Sequence, residues 1–219
     1  MERAPTRKRE NSEQRILDAA ISLFATRGYA ATGIRQIADK VGLTTASLYY
    51  YAQTKDELLL RVMRVGLGEL LASGEEAVAA STDPREQIRG LLKVHLNFAA
   101  GNPERARVID NEFQWLDDED RESVIALRDA YEQLWADAIT EGCRRGIFLV
   151  KNVSLTRLAL LEMCNGATHW YRANGPMSLE QIVLAFEDMA FALLRTDEPL
   201  TVAPAPGAGL TVETAQSPQ

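Results

Sequence analysis

The segment Ile34–Leu58, IRQIADKVGLTTASLYYYAQTKDEL, constrains this chain more than any other. Its spacing predicts a short helix from Ile34 to about Val41, a turn at Gly42-Leu43-Thr44, and a second short helix opening at Thr45-Ala46-Ser47. Thr54 and Lys55-Asp56-Glu57 then start a longer one. Two short helices around a tight turn form a helix-turn-helix. Small polar residues at the start of its second helix can reach base edges on the floor of a major groove. The segment points to DNA binding and away from catalysis.

The residue types suit the contacts such a motif makes. Thr44 and Thr45 offer hydroxyls and a helix N-terminus to phosphate oxygens. Ala46 can meet a thymine methyl, and Ser47 can donate or accept at a base edge. Tyr49, Tyr50 and Tyr51 offer hydroxyls and ring area, with one of the three expected to pack the short helix instead. Lys55 is a point charge for a phosphate. Thr32, placed to cap the preceding helix, and Arg35 open that helix toward the strand. Arg3, Arg7, Lys8 and Arg9 form either a mobile basic arm or a solvated tail.

Net charge looks wrong for such a role until it is divided. The chain carries −7 over 219 residues. Residues 1–60 hold nine Lys/Arg against seven Asp/Glu, so this end is +2 and the rest is −9. A basic end can approach phosphates while an acidic body is held off them. No apolar run is long enough to span a bilayer, and no secretory signal opens the chain, so a cytoplasmic protein is expected. Cys143 and Cys164 have neither disulfide nor metal spacing and read as small buried hydrophobes. With only His95 and His169, no glycine-rich phosphate loop and no nucleophile elbow, no catalytic site can be assembled, and no cofactor is called for.

The remaining chain reads as helix, without alternating strand patterns. Asn11 or Ser12 is placed to cap a first helix ending at Arg27-Gly28. A fourth, from Lys55 to about Ala80, contains Gly66, Gly68 and Gly74, which serve either close packing or bending. Further helices are predicted from about Pro84 to Ala100, Pro103 to Leu116, Asp118 to Arg145, Ser154 to Ala173, and after Ser178. The fold class is therefore all-α, about nine helices. It divides into a DNA-binding domain (1–60, with 1–11 a flexible arm), a ligand-binding and dimerisation domain (61–196) and a disordered tail (197–219). Asp117-Asp118-Glu119-Asp120 suits a helix N-terminus better than a metal.

Residues 14–60, with ILDAA, LF, RGY, IRQIA, VG, SLYYY and KDELL at the right intervals, resemble the N-terminal domain of the TetR family of bacterial repressors. Two positions depart from the family pattern: Tyr51 where histidine is usual, and Ala52 where phenylalanine is usual. The resemblance implies a homodimer joined through the last two helices, and a small-molecule cavity bounded by the fourth to eighth. It also implies an effector that favours a conformation unable to span successive major grooves. The glycine-bearing fourth helix is the expected pivot.

Cavity-facing candidates are Met63, Leu67, His95, Phe98, Phe113, Tyr131, Trp135, Met163 and Trp170, about half of them expected to be ordinary core. They suit a hydrophobic effector. The stretch His169–Gly175 with Ser178–Ile182 is similar to the corresponding junction in family members that answer to acyl-CoA thioesters. Arg105, Arg107, Arg128 and Arg172 are the cations available to such a ligand's phosphates. A drug-like or aromatic metabolite, or control by a protein partner, are the alternatives.

Overall fold

The structure, a computed structural model, describes residues 7–195, with side chains from Asn11 onward. Arg3, the side chains of Arg7, Lys8 and Arg9, and the predicted tail 197–219 lie outside the described residues. Nine α-helices and no strands are described: α1 (Arg7–Arg27), α2 (Ile34–Val41), α3 (Thr45–Tyr49), α4 (Lys55–Ala79), α5 (Pro84–Gly101), α6 (Pro103–Asn111), α7 (Asp118–Arg144), α8 (Val153–Trp170) and α9 (Leu179–Leu194).

Local chemistry sets these boundaries. Gly42 ends α2 at φ 72°, a left-handed conformation that a side chain would strain. Thr44, Thr54, Asp83, Asn102, Asp117, Asn152 and Ser178 each cap the helix that follows by accepting a backbone N–H. The acidic run at 117–120 thus serves α7, with Asp117 accepting from Asp120 N at 2.8 Å.

Three expectations need correction. Helix α1 begins at Arg7, ahead of Asn11 and Ser12, so neither caps it. Helix α6 stops at Asn111, and a 3₁₀ turn, Phe113–Trp115, carries the chain to α7. Helix α8 ends at Trp170, where Tyr171 turns to extended backbone, three residues short of Ala173.

Two apolar clusters organise the molecule. The first joins α1–α3 and the first half of α4 to Val108 and Ile109 of α6, Leu116, and Val124 of α7. The second fills the body around Leu91, Trp135, Leu160 and Phe186, from α5, α7, α8 and α9. The head is therefore seated on the body through α6, which packs on α1. Ala52, buried at 1% exposure, takes its place in the head core with Tyr51 packed beside it, so a tyrosine ring stands next to the missing phenylalanine.

Helices α8 and α9 both pack inward on α5. Outward they present Leu155, Trp170, Leu184, Met189 and Leu193, all exposed. That is a large apolar surface for a monomer to leave in water.

Candidate functional site

The head presents the start of α3 to solvent. Leu48 anchors this five-residue helix in the core at 0% exposure, fixing which face turns outward. Ala46, Ser47, Tyr49 and Tyr50 lie on the outward face, and Thr44 stands at its edge. Thr44 Oγ1 accepts from Ser47 N at 3.1 Å and lies 2.8 Å from Ser47 Oγ, so one hydroxyl caps the helix and orients the other. Thr45 is half-buried beside them, and Arg35 is exposed on the neighbouring α2.

Three DNA-contact candidates have work inside the protein. Thr32 is buried at 1% exposure, its hydroxyl donating to the carbonyls of Gly28 (2.8 Å) and Leu23 (3.3 Å). The cap of α2 is Gly33, whose backbone N–H donates to Gln36 Oε1. Thr32 therefore closes the loop after α1 and offers no side chain to DNA. Tyr51 is the tyrosine that packs, half-buried on the head core with Tyr50 edge-on to its ring. Lys55 donates to the Tyr29 carbonyl at 2.8 Å and lies 3.9 Å above the Tyr29 ring. Tyr29 in turn donates to Asp56 and packs on Trp115 of the 3₁₀ turn, ring centroids 5.8 Å apart. Lys55 is thus tied through Tyr29 to the segment leading out of α6.

The body holds a partly enclosed cavity of about 140 Å³ between α4, α5, α6, α7 and α8. Leu67, His95, Phe98 and Tyr131 line it as the sequence predicts. The other five candidates do not. Met63 is buried in the head core, and Trp135 is fully buried behind His95. Phe113 packs on the head core between the guanidinium groups of Arg121 and Arg128. Met163 packs into the body core, and Trp170 stands on the outer face against Phe186. Each satisfies the helical spacing of an inner face, but only residues opposite the gap between helices reach the cavity.

The lining is less apolar than expected. Asp110, Glu132 and Glu162 contribute carboxylates, and Asn165 and Thr168 polar groups. Sequence periodicity hid them because each looks like an ordinary solvated position on an amphipathic helix. Arg128 is the arginine in the wall, and it donates to the Ile109 carbonyl. Arg105 pairs with Glu69 at 2.7 Å, Arg157 with Glu132 at 3.0 Å, and Arg172 donates to the carbonyls ending α8. Asp110 is exposed at the cavity rim, yet desolvation by the protein around it pushes its carboxyl above the ordinary range. Arg128 and His169 oppose this shift, and Glu162 adds to it.

At the deep end lies a polar chain of two buried residues, His95 and Tyr131, and the half-buried Asn165. His95 Nε2 donates to Asn165 Oδ1 at 2.9 Å, and the Tyr131 hydroxyl stands 3.4 Å from His95 Nδ1. Burial drives the imidazole down to about 4 despite its bond to Asn165, so the ring is neutral at physiological pH. Burial likewise pushes the Tyr131 phenol up, and the Cys164 thiol to about 12.

Helix α6 belongs to both regions. Ala106, Ile109 and Asp110 line the cavity, while Val108 and Ile109 sit in the head core. The glycines of α4, one continuous helix, have separate roles. A Cβ at Gly66 would stand 2.6 Å from Ile109 Cδ1, and one at Gly74 2.9 Å from Tyr131 and Leu134. A Cβ at Gly68 would meet nothing within 4 Å. Gly66 thus lets α6 lie close on α4, the close-packing reading of the two the sequence offered. Gly66→Ala is expected to drive Ile109 toward the cavity and weaken effector binding about fivefold, with little change in folding stability because helix propensity offsets the crowding. Gly68→Ala should raise stability by up to about 1 kcal/mol and leave effector binding unchanged. Titration calorimetry and urea unfolding of the two variants measure both quantities.

Comparison with known proteins agrees with this architecture. Residues 16–62 match the family model described as bacterial regulatory proteins, tetR family, and residues 81–194 match the tetracyclin repressor-like C-terminal domain. The transcriptional repressor KstR2 of Mycobacterium tuberculosis (strain ATCC 25618 / H37Rv) is 28% identical over 169 residues, covering 76% of this chain and 84% of that protein. The crystal structure of the TetR family regulator PfmR from Thermus thermophilus superposes with a TM-score of 0.76 at 32% identity, covering 84% of this chain and all of that one. AibR, solved with isovaleryl coenzyme A and operator DNA, shares the fold with a TM-score of 0.76 at 23% identity, over 84% of this chain and 99% of its own. A head matched over residues 16–62 and a body matched over residues 81–194 place this chain in the TetR family of bacterial transcriptional regulators.

Proposed function

We propose that this regulator is a homodimeric repressor whose hold on its operator is broken by an acyl thioester seated in the body cavity. One observation carries the reading: α6 lines the cavity and also forms part of the core on which the DNA-binding head sits. A ligand that displaces Ala106, Ile109 or Asp110 moves the same helix that supports α1 and the start of α4. The exposed α8–α9 face supplies the dimer surface, and two protomers place their α3 helices for successive major grooves.

Ala46, Ser47, Tyr49 and Tyr50 would meet base edges and backbone, with Thr44, Thr45 and Arg35 on the flanking phosphates. Lys55, anchored on Tyr29, keeps N–H groups for a phosphate and would couple its position to Trp115.

The cavity's charge favours a thioester over a free acid. Three carboxylates, one of them paired with Arg157, and one committed arginine leave the lining net negative and disfavour a ligand carboxylate, whereas a thioester carries its carbonyl without charge. The enclosed space is close to one that holds a six-carbon ring, so it suits a short acyl group, with the coenzyme's phosphates left outside. The shared fold accommodates isovaleryl coenzyme A in AibR.

Thermal unfolding with hexanoyl-CoA and with hexanoate tests this. The thioester is expected to raise the midpoint and release operator DNA, and hexanoate to do neither. Stabilisation by a neutral aromatic alone would move the reading to a drug or metabolite sensor, and a filled cavity with no ligand response would favour a protein partner.

A further inference from the structure

Cavities for purely aliphatic bodies are walled by apolar side chains, because each buried polar group left unmatched there is costly. This one places a histidine, a tyrosine and a threonine in its wall, at 6%, 3% and 2% exposure. Thr168 is satisfied by donating to the Asn165 carbonyl at 2.8 Å, which holds that turn of α8. His95 spends its one N–H on Asn165 Oδ1, leaving Nδ1 as an acceptor toward the Tyr131 hydroxyl. The chain then runs Tyr131 to His95 to Asn165 with each member's role fixed. Asn165 keeps the two N–H groups of its amide, and Tyr131 keeps oxygen lone pairs.

Charge narrows what these remaining groups can take. Asp110 and Glu162 stand exposed on the cavity's outer side and Glu132 is paired with Arg157, so the lining and its partners stay net negative and an anionic end is disfavoured there. Volume narrows it further, to a group of about six to eight non-hydrogen atoms. We propose that the polar chain Tyr131–His95–Asn165 selects an effector whose buried end bears a neutral oxygen, a ketone or hydroxyl on a short carbon skeleton, in preference to the plain saturated chain. Asn165 donates to that oxygen, and Tyr131 accepts from it when it is a hydroxyl. The inference rests on the cavity being the effector site, and on the thioester reading only for how the ligand's other end is presented.

Calorimetry on the full chain with matched probes decides it: hexanoyl-CoA against 5-oxohexanoyl-CoA, and methyl hexanoate against methyl 5-oxohexanoate. The oxo thioester is expected to bind about tenfold tighter than its saturated partner, the gain of a hydrogen bond that the bound acyl group shields from water. Asn165→Asp keeps an acceptor for His95 but replaces the amide donor with oxygen, and should reduce the preference to within about twofold. Equal affinity for the two thioesters overturns the inference and leaves the thioester reading intact. Preference for the oxo ester with no binding of either thioester supports the inference and overturns the thioester reading. Binding of none of the four overturns both. If Asn165→Asp fails to fold, the wild-type ratio decides alone; if it folds and keeps the full preference, the inference falls.

Discussion

Replacing Ala46 with glutamate should lower operator affinity by at least about a hundredfold while leaving the fold intact. Ala46 lies on the outward face of α3, in its first turn, and is exposed. A carboxylate there suits the helix dipole, so stability is expected to stay within about 0.5 kcal/mol. Seated in a major groove, the same carboxylate faces base-edge acceptors between two phosphate strands, and like-charge juxtaposition at an interface costs several kcal/mol. A dimer meets this cost at both half-sites. Ala126→Glu, an equal change of charge at an exposed position on α7, should leave affinity within about twofold. Fluorescence anisotropy with operator DNA separates the two. If Ala46→Glu still binds with wild-type affinity and wild-type salt dependence, α3 is not the recognition helix.

The head was legible in the sequence because its constraints are local. The turn at Gly42 and the helix start at Thr54 were readable from residue type and spacing, while Thr44, read as a phosphate contact, also caps α3, and Leu48 anchors it. Long-range contacts were not. Thr32 looked like a cap and is instead a buried brace, because the loop after α1 folds its hydroxyl back onto Leu23 and Gly28. Phe113 satisfies the spacing of a pocket face, but α6 ends two residues before it, and the 3₁₀ turn sends its ring against the head core instead. Asp110, Glu162 and Asn165 sit at positions that any amphipathic helix would give to water, and they keep contact with it; only the gap between α6, α7 and α8 makes them part of a wall as well. Periodicity reports which side of a helix is covered; it does not report where two covered sides fail to meet.

The glycines make the same point about coupling. Three in one helix left packing or bending open; α4 is continuous, and Gly66 and Gly74 mark close approaches while Gly68 marks none. On the proposed reading, transmission between cavity and head would need no bending of α4: a shift of α6 against Gly66 would serve, because Ile109 lines the cavity and also sits in the head core.

A buried neutral histidine in this wall also gives the protein a specific acid sensitivity. Unfolded, His95 takes a proton near its ordinary 6.5; folded, burial holds it to about 4. Between those values the unfolded chain binds more protons than the fold does. Stability from this group is therefore complete above about pH 6.5 and is lost as pH falls toward 4. From pH 7 to pH 5 the loss from His95 alone is about 2 kcal/mol. His95→Gln removes the titration while keeping an amide donor for Asn165. Urea unfolding at pH 7 and pH 5 should show the wild type losing about 2 kcal/mol more than the variant. Equal losses in the two proteins would mean that His95 accepts its proton inside the fold. The polar chain to Tyr131 and Asn165 would then have to rearrange around a charged ring, with two N–H groups to satisfy instead of one.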